Sequence, residues 1–334
     1  EDPAVIIFTS GTTGEPRGVL YPQRYLAGQD LQAEHWVGAR KGELAWCTAA
    51  PGWTKSTRNI FIAPWLRGAA GLIHDARFDP AERLAVVERE GVNVLCQAPT
   101  EYRILAKRTQ LRPIGSLRRL LSAGEPLNPE VIRAFREVMD TGIADGYGQT
   151  ETGAISGMRP GEDDPAHDGS MGRPLPGVEI RVIDGELEVR PGTVPTFFSQ
   201  YLGERPFEGD WWATGDHVRE DEDGYLWFEG REDDIIITAG YRVGPFEVES
   251  ALVSHPAVAE AAAVPAPDEE RGSVVRAIVV LADGDPSDEL ATELQEHVKQ
   301  VTAPYKYPRI IEFTDELPKT PTGKIRRGEL RGGG

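Results

Sequence analysis

Short apolar runs and longer helical patterns alternate along the first half of the chain. The apolar runs have the length of strands and read LAWCTA, AGLIHD, VNVLCQA, RRLLSAG and GIADGYG. The helical patterns between them include PAERLAVVEREG and NPEVIRAFREVMD. Because a helix between two strands returns the chain to the same end of a sheet, this alternation predicts parallel strands. The predicted fold class is therefore α/β, with a large domain built on a mostly parallel sheet.

The pattern changes after residue 170, where short strands alternate with Gly/Asp turns. The segments VEIRVID, GELEVRP and YLWFEG favour a small antiparallel barrel or sheet, and residues 183–195 leave room only for a short hairpin. From Asp233 onwards, a helical segment, alternating strands and a helix at residues 287–301 form an α+β pattern. We therefore expect a large domain at residues 1–232 and a smaller C-terminal α+β domain at residues 233–334.

The charge of the chain limits its partners. Its 334 residues include 36 basic and 54 acidic side chains, which gives a net charge of −18. Such a surface repels phosphate backbones and anionic lipid head groups, so no nucleic-acid partner is expected. No apolar run is long enough to span a bilayer and the opening residues EDPAV are acidic, so neither stable membrane insertion nor a signal peptide is expected. The expected location is cytoplasmic.

The cysteines and histidines show no metal-binding pattern. Cys47 and Cys96 stand in apolar surroundings and form no CxxC pair, so buried, inert thiols are expected instead of a disulfide or a metal site. The six histidines form no HExxH or similar pair. No metal-ligand cluster is therefore predicted from these two residue types.

The apolar run AVIIF at residues 4–8 ends directly in a loop rich in Gly, Ser and Thr. The loop contains Thr9, Ser10, Gly11, Thr12, Thr13, Gly14 and Arg17. Its glycines let backbone N–H groups turn inward, its hydroxyls add donors and Arg17 adds a fixed positive charge, a combination suited to a polyphosphate. The loop differs from the GxxxxGK[ST] motif of the common NTPases. On these residues alone, a purely structural loop is an equal alternative.

A second candidate site follows the run GIAD, in the segment Asp145-Gly146-Tyr147-Gly148-Gln149-Thr150-Glu151-Thr152. Loops after the strands of open α/β sheets commonly form binding sites. The glycines permit close approach of a planar ligand, Tyr147 offers a stacking face, Thr150 a phosphate donor and Glu151 an oxygen ligand suited to Mg²⁺. A strand-to-helix turn capped by threonine and glutamate is the alternative interpretation.

Two further groups of polar residues lie towards the C-terminus. Asp216, on the turn TGD, is suited to accept two ribose hydroxyls, and Arg231 to bind the same sugar or to hold that aspartate. On the residues alone, a turn aspartate with a surface Arg–Asp pair is the favoured reading. Lys324, in the segment PKTPTGKIRR, lies on a glycine-containing loop that can swing its ammonium into a cleft of another domain. Taken by itself, this segment also fits an ordinary basic tail.

Taken in this order, the four segments resemble the adenylate-forming, or AMP-binding, superfamily of acyl-CoA synthetases, luciferases and peptide-synthetase adenylation domains. The resemblance runs from Val5 to about Leu330 and includes Gly124-Glu125-Pro126, which is similar to the loop that flanks adenine in that family. The stretches GWTKS, FIAPW and QAPTEYR are similar to medium-chain and aryl acyl-CoA synthetases. The resemblance implies that ATP, Mg²⁺, coenzyme A and a small carboxylic acid bind to this protein.

The resemblance implies a role for each matching residue in the first half-reaction, the formation of acyl-AMP. The ATP phosphates would be bound by Thr9, Ser10, Gly11, Thr12, Thr13, Gly14 and Arg17, adenine by Gly124, Glu125, Pro126, Asp145, Gly146 and Tyr147, and ribose by Asp216 and Arg231. Thr150 would contact the α-phosphate and Glu151 would hold Mg²⁺. Lys324 would be the catalytic lysine that stabilises the pentacoordinate phosphorus while the acid displaces pyrophosphate.

The resemblance also implies a second half-reaction, in which the acyl group passes to the thiol of CoA. Family members rotate their small domain about a hinge, and Asp233 falls at that position, with a turn or helix cap as its alternative role. Gly240 and Arg242 match positions on the face that guides the thiol. Trp53 and Gly148 would line the acyl pocket, where acetyl-CoA synthetases carry a bulky Trp in place of Gly148. A longer or aromatic acid is therefore expected.

Two features depart from the family pattern. Arg17 stands where the family usually has lysine, which keeps the charge but alters its shape. The sequence begins at the phosphate loop, whereas family members have a long N-terminal portion before it. We therefore expect a fragment of a longer protein, a partner chain that supplies the rest, or a shortened form. Activity of this chain is expected to depend on which of these applies.

Two other interpretations of the motifs stay open. An amino-acid adenylation domain shares the nucleotide motifs but normally passes its product to a carrier protein, and no carrier-type serine motif follows here. A non-catalytic nucleotide-binding or protein-interaction remnant fits the missing N-terminal portion. The joint presence of Glu151, Asp216 and Lys324 argues against that remnant.

Overall fold

The structure is a computed structural model that describes residues 2–9, 17–50, 54–319 and 325–331. The chain divides into two compact units. The first contains Glu1–Thr214 and Glu220–Trp227, and the second contains Gly215–Arg219 and Phe228–Gly334. The predicted domain start at Asp233 lies inside the second unit and stays a prediction.

The first unit contains the following strands, of which the last two continue into the second unit. They are β1 (Pro3–Thr9), β2 (Arg17–Pro22), β3 (Leu44–Cys47), β4 (Ala70–Gly71), β5 (Val94–Gln97), β6 (Arg119–Ala123), β7 (Ile143–Gln149), β8 (Gly153–Gly157), β9 (Arg173–Pro174), β10 (Ile180–Ile183), β11 (Glu186–Val189), β12 (Gln200–Tyr201), β13 (Trp212–Glu220) and β14 (Leu226–Arg231).

The helices of this unit are α1 (Arg24–Gln32), α2 (Thr54–Ser56), α3 (Ala63–Leu66), α4 (Pro80–Glu90), α5 (Pro99–Arg108) and α6 (Pro129–Met139). Proline occupies the first helical position of α4, α5 and α6, where its missing N–H group costs no hydrogen bond. The Asp79 side chain caps α4 by accepting a hydrogen bond from the backbone N–H of Glu82 at 2.8 Å. Gly91 ends that helix in the left-handed conformation, with φ of 69°.

A seven-stranded sheet forms the centre of the first unit, in the order β4-β3-β5-β6-β7-β8-β9. The neighbouring pairs from β4 to β7 are parallel, and β8 and β9 continue the sheet antiparallel. The predicted α/β class with a mostly parallel sheet is therefore confirmed. The run AGLIHD contributes only the two residues of β4, because this edge strand pairs with β3 over Leu44 and Ala45 alone.

Apolar faces of α4, α5 and α6 pack against the central sheet. Their largest fully buried side chains include Tyr102, Leu105, Ile132 and Phe135, and the rings of Tyr102 and Phe135 meet edge to face at 5.2 Å. The Tyr102 hydroxyl lies 3.0 Å from the carbonyl oxygen of Leu95, so the polar end of this ring is satisfied inside the core. Packing of this kind fixes the carboxyl ends of the central strands.

Cys47 and Cys96 are register partners on β3 and β5. Both are buried, as the sequence predicts, and both are free cysteines.

Two smaller sheets accompany the central one. Their orders are β1-β2-β12 and β10-β11-β13-β14. β10 and β11 form the short hairpin expected at this point, and its two turn residues, Asp184 and Gly185, have φ of 52° and 90°. Two consecutive positive φ values are typical of a type I′ turn, whose twist matches that of the strands on either side.

The second unit has the expected α+β character. Its elements are β15 (Ile236–Thr238), β16 (Tyr241–Val243), α7 (Pro245–Val253), β17 (Val258–Asp268), β18 (Gly272–Leu281), α8 (Asp288–Val301), β19 (Ile310–Phe313) and α9 (Arg327–Arg331). β18 pairs antiparallel with β17 and parallel with β19. Apolar side chains of α7 and α8, among them Leu252 and Leu294, form one buried cluster with those of β17 and β18. Among the described residues, no helix is both long and apolar enough to cross a membrane.

Candidate active site

The predicted adenine-binding segments are brought together at the carboxyl ends of β6 and β7. Ala123 at the end of β6 is the register partner of Gly146 in β7, so the segment that begins at Gly124 follows directly beside Tyr147. Gly124 has φ of 100°, a conformation that L side chains rarely adopt. The glycine therefore lets the chain turn sharply as it leaves the sheet.

Residues 145–149 lie within β7, whereas the sequence placed them in a loop after a strand. The glycines of this segment permit close packing. A Cβ at Gly146 would lie 2.6 Å from the Trp36 ring, and one at Gly148 would lie 1.9 Å from the carbonyl oxygen of Gly153. The register of β7 and β8 shifts between Tyr147 and Gly148, where the two backbones approach closely. The contacts therefore give both glycines a packing role, while their predicted ligand roles stay predictions.

Asp145 is a buried carboxylic acid, with 2% of its surface exposed. Its Oδ1 accepts a hydrogen bond from the Gly146 backbone N–H at 3.0 Å. Burial raises the pKa of Asp145 to about 8, against the opposing effects of this N–H group, of the Lys55 ammonium and of the Ser122 hydroxyl. The folded protein therefore keeps this side chain largely protonated at neutral pH.

This burial predicts a pH-dependent stability difference between Asp145→Asn and the wild type. The folded state holds a proton that the unfolded state releases near pH 3.8, so the wild type loses stability from about pH 4 to about pH 8. The asparagine variant lacks this loss. Its stability relative to the wild type should rise by up to about 1.4 kcal/mol per pH unit in that window.

Urea unfolding at intervals from about pH 5 to pH 8 measures this difference. Asp75→Asn is the matched control, because Asp75 is an exposed aspartate of the same unit. Equal pH slopes for the two variants would contradict the prediction.

Lys55 is a polar residue at this edge of the sheet that the sequence did not mark as a site residue. Its Nζ donates to the carbonyl oxygens of Gln97 at 2.7 Å and Ala123 at 2.8 Å, at the ends of β5 and β6. These carbonyls lie where the parallel ladder stops, so the ammonium replaces backbone partners. The only sequence signal for Lys55 is its place in the stretch GWTKS.

Glu125 is fixed by α5. Its Oε2 accepts hydrogen bonds from Thr100 Oγ1 at 3.0 Å and from Arg103 Nη2 at 3.1 Å. Both the carboxylate and the guanidinium are largely buried, with 14% and 21% of the side chains exposed, so this pair is less screened than a surface ion pair. The contact holds the loop after β6 in one position beside β7.

Glu151 and Arg17, 134 positions apart in the sequence, both contact Tyr201. The Tyr201 hydroxyl donates to Glu151 Oε1 at 2.7 Å, and the Arg17 guanidinium carbon lies 3.4 Å from the centre of the Tyr201 ring. Burial and the Glu151 carboxylate raise the pKa of Tyr201, so its hydroxyl keeps its proton. Tyr201 was not predictable from the sequence, because no motif around it marks it as a partner of Arg17 and Glu151.

The turn that carries Thr150 and Glu151 is held in place by hydrogen bonds to its backbone groups. The Tyr21 hydroxyl donates to the carbonyl oxygen of Thr150, and the Phe198 N–H donates to that of Glu151 at 2.8 Å. The Thr152 hydroxyl accepts from the Gln149 N–H at 3.0 Å. A turn with these three contacts presents its side chains in a preorganised arrangement.

Arg17 also forms a salt bridge with Glu204 at 2.8 Å. Both side chains are exposed, at 42% and 53%, and exposed pairs of this kind contribute little to stability. This salt bridge therefore adds little to the fold, and the predicted phosphate-binding role of Arg17 stays a prediction. Thr9, the register partner of Arg17 on β1, is half-buried.

Several predicted site residues lie outside the described residues. They are Ser10, Gly11, Thr12, Thr13 and Gly14 of the phosphate loop, Trp53 of the acyl pocket, and Lys324. The chain on either side of Lys324 is described: Lys319 and Ile325 form an antiparallel bridge, and the Arg326 N–H donates to the carbonyl oxygen of Pro318 at 2.9 Å. The described residues on the two sides of this segment are therefore paired with each other.

In the second unit, Asp216 is 4% exposed and lies 3.5 Å from Arg231 Nε. This contact fits the expectation that Arg231 holds the aspartate, and the guanidinium side chain stays 41% exposed. The ribose-binding role of the pair stays a prediction.

Gly240 and Arg242 lie around the turn between β15 and β16. Gly240 has φ of 83° and follows Ala239 at φ of 48°, which makes another turn with two positive φ values. Arg242 Nη2 lies 3.2 Å from Glu232 Oε2 and 3.1 Å from His217 Nε2. Arg242 is thus tied to the turn Glu232–Asp234, which contains the predicted hinge residue.

Among the described residues, no group of three or more His, Cys, Asp or Glu side chains is arranged to hold a metal ion. The role of Glu151 as a Mg²⁺ ligand stays a prediction, and a single carboxylate of this kind can bind Mg²⁺ together with substrate phosphates.

Two family models match this chain. The model described as "AMP-binding enzyme" matches residues 1–197, and the model described as "AMP-binding enzyme C-terminal domain" matches residues 247–324.

Curated relatives match nearly the whole chain. An uncharacterized acyl-CoA ligase of Bacillus subtilis strain 168 is 45% identical and matches 99% of this chain and 66% of its own length. The human mitochondrial acyl-coenzyme A synthetase ACSM4 is 42% identical, over 99% of this chain and 61% of its own length. The chain thus spans less than two thirds of the length of these relatives.

A solved structure of an anthranilate CoA ligase in complex with anthranoyl-AMP superposes with a TM-score of 0.88. It is 32% identical to this chain, and the match covers 99% of this chain and 67% of that one.

Proposed function

The chain belongs to the AMP-binding enzyme family, and we propose that it is an ATP-dependent acid–CoA ligase. Family membership rests on the match of the family model to residues 1–197, and it confirms the resemblance stated from the sequence motifs. In the proposed reaction, a carboxylic acid attacks the α-phosphate of ATP, pyrophosphate leaves, and the acyl group of the resulting acyl-AMP passes to CoA.

The contact of Arg17 and Glu151 with one tyrosine carries this proposal. The Arg17 guanidinium, which is suited to phosphates, lies over the Tyr201 ring at 3.4 Å from its centre. The Glu151 carboxylate, which is suited to Mg²⁺, accepts a hydrogen bond from the Tyr201 hydroxyl at 2.7 Å. Such an arrangement fits a ligand that combines a polyphosphate with a divalent cation. Thr150, next to Glu151 on the same fixed turn, is proposed to contact the α-phosphate.

Glu151 is proposed to hold Mg²⁺. Its Oε1 is bound by Tyr201, which orients the carboxylate and leaves Oε2 outside this bond. A bound Mg²⁺ would supply charge neutralisation at the phosphates. The protein's own residues then have three tasks: Arg17 binds phosphate, Thr150 orients the α-phosphate, and Tyr201 holds the metal ligand in place.

The second half-reaction is proposed to use the second unit. We propose that the chain turns at the exposed residue Asp233, in the turn Glu232–Asp234, and that Gly240 and Arg242 then guide the thiol of CoA. The open turn at Gly240 supports this role, since no atom of the described residues lies within 4 Å of the position that a Cβ would take there. Lys324 is proposed to serve the first half-reaction only.

A medium-chain or aryl acid is the proposed substrate. The anthranilate CoA ligase with bound anthranoyl-AMP is a structural neighbour that acts on an aryl acid by its name, and Gly148 gives the acyl pocket no side chain at its position. A cytoplasmic location also stays a prediction, since the matched human protein is described as mitochondrial.

Pyrophosphate exchange with the purified chain tests the proposed function. ATP, Mg²⁺ and labelled pyrophosphate are incubated with acetate, butyrate, octanoate or benzoate, and thioester formation with CoA is then measured. Exchange that depends on octanoate or benzoate, followed by thioester formation, is the expected result. Exchange without thioester would point to an amino-acid adenylation domain that needs a carrier, and no exchange from a folded, monodisperse sample would contradict activity of this chain.

A further inference from the structure

The C-terminal helix α9 is too short to be stable alone, because five residues make little more than one turn. It has no fully buried side chain. Its Leu330 side chain packs, partly buried, against a small apolar cluster of the second unit, and its arginines form charged contacts that lie close to the turn that contains Asp233.

The first contact anchors the start of α9 to the core of the second unit. Arg327 Nη2 lies 2.8 Å from both carboxylate oxygens of Glu249 on α7. Glu249 is 6% exposed, and its Oε1 also accepts the N–H of Ala263 on β17 at 2.9 Å. A buried, paired carboxylate of this kind fixes the guanidinium in one geometry. Because Arg327 is three residues after Lys324, its contact also fixes the position of the chain directly after residues 319–325, which we call the lysine loop.

The second contact joins the end of α9 to the turn Glu232–Asp234. Arg331 Nη2 donates to the backbone carbonyl oxygen of Asp233 at 2.6 Å and also to the carboxylate of Asp234. Arg327 adds a longer contact with the same carboxylate, at 3.7 Å. The Asp234 side chain is only 18% exposed, so these charges are screened less than a typical surface pair.

We propose that Arg331 is a positioning residue that latches the turn Glu232–Asp234 to the helix that follows the lysine loop. The inference rests on the proposed function, because it takes Asp233 as the hinge. A change in ψ of Asp233 moves its carbonyl oxygen relative to Asp234 and Arg331, and this oxygen is the atom that Arg331 binds. The latch therefore favours the present conformation of the hinge and opposes its rotation. It links the hinge to the lysine loop without touching substrate.

Arg331→Gln tests the latch, with Arg326→Gln as the matched control. Arg326 is an exposed arginine at the same end of the chain, and its ion pair with Glu329 spans three residues and does not reach the turn. Hydrogen exchange at the Ile235 N–H, which donates to the Arg231 carbonyl oxygen at 3.0 Å, reports opening of the turn. We expect exchange at this amide to accelerate roughly three- to tenfold in Arg331→Gln and not in the control.

The functional readout is the ratio of two rates, pyrophosphate exchange and thioester formation from supplied acyl-AMP. The ratio should change roughly three- to tenfold in Arg331→Gln, because a latch on one hinge state shifts the balance between two conformations. Asp234→Asn, which weakens the same contact from the other side, should change the ratio in the same direction. In Arg331→Lys the ratio should lie between those of Arg331→Gln and the wild type, since lysine keeps the charge but not the guanidinium fork.

An unchanged ratio in both variants would overturn the proposal, even if the amide exchanged faster, because the contact would then be only structural. Unchanged exchange at Ile235 would overturn it as well. If the wild-type chain catalyses neither half-reaction, the proposed function fails, and exchange at Ile235 alone decides whether Arg331 holds the turn.

Discussion

Lys324→Ala is expected to reduce acid-dependent pyrophosphate exchange by roughly 10²- to 10³-fold, the usual effect of removing one donor that stabilises charge in a transition state. The ammonium is proposed to meet negative charge that develops on the α-phosphate while the acid attacks. Thioester formation from supplied acyl-AMP should stay within about threefold of the wild type, since that step needs no attack on ATP. The two rates are measured separately with the same preparations.

Lys319→Ala is the control for this variant. Lys319 flanks the same loop, and its side chain pairs with Glu260 and not with a predicted site residue. The bridge to Ile325 uses backbone atoms, so the loop keeps its ends when the Lys319 side chain is removed. An equal loss of both half-reactions in Lys324→Ala would show that the lysine acts through folding or through both steps, against its proposed role.

Gly148→Ala is expected to destabilise the first unit by about 3 kcal/mol, at the upper end of the usual cost of overpacking. An added Cβ would lie 1.9 Å from the carbonyl oxygen of Gly153 and 2.7 Å from its carbonyl carbon, so the backbone of β7 or β8 has to move. A flexible side chain could turn away, but these atoms belong to a paired strand. The free energy of unfolding in urea measures the effect.

Gly192→Ala is the matched control, because in the part of the chain that the structure describes no atom lies within 4 Å of its Cβ position, and its φ is not positive. Its stability should stay within about 0.5 kcal/mol of the wild type. If Gly148→Ala proves equally stable and changes the preference among acids, the packing role is wrong and the pocket role is favoured. If it unfolds more easily, the predicted pocket has to be tested at other positions.

The sequence predicted the central architecture because that architecture depends on local patterns. Apolar runs separated by helices of about ten residues leave little choice except parallel pairing, and the β5, β6 and β7 runs pair in that way. The hairpin at Asp184 and Gly185 was predictable for the same reason, since two residues between strands favour one kind of turn. Element limits were less certain, as β4 shows, because pairing with a neighbour decides where a strand stops.

The candidate site was predictable only in part. The motifs marked Arg17 and Glu151, but their shared partner Tyr201 lies 50 residues after Glu151 in a segment without any motif. The glycines of β7 illustrate the opposite error. A glycine next to a predicted site suggests room for a ligand, whereas Gly148 also allows a close approach of two strands, and only the fold reveals that second reason.

Lys55 joins the last carbonyls of β5 and β6 through one ammonium, at the point where hydrogen bonding between the strands stops. The last carbonyl groups of these two strands therefore find their hydrogen-bond donor in a side chain. That side chain can be substituted without a change in the strands themselves. The same ammonium offsets part of the rise that burial causes in the pKa of Asp145. A neutral residue in place of Lys55 should therefore make that acid still harder to ionise. A substitution at Lys55 can therefore change the pKa of Asp145 while the strands of the sheet keep their geometry.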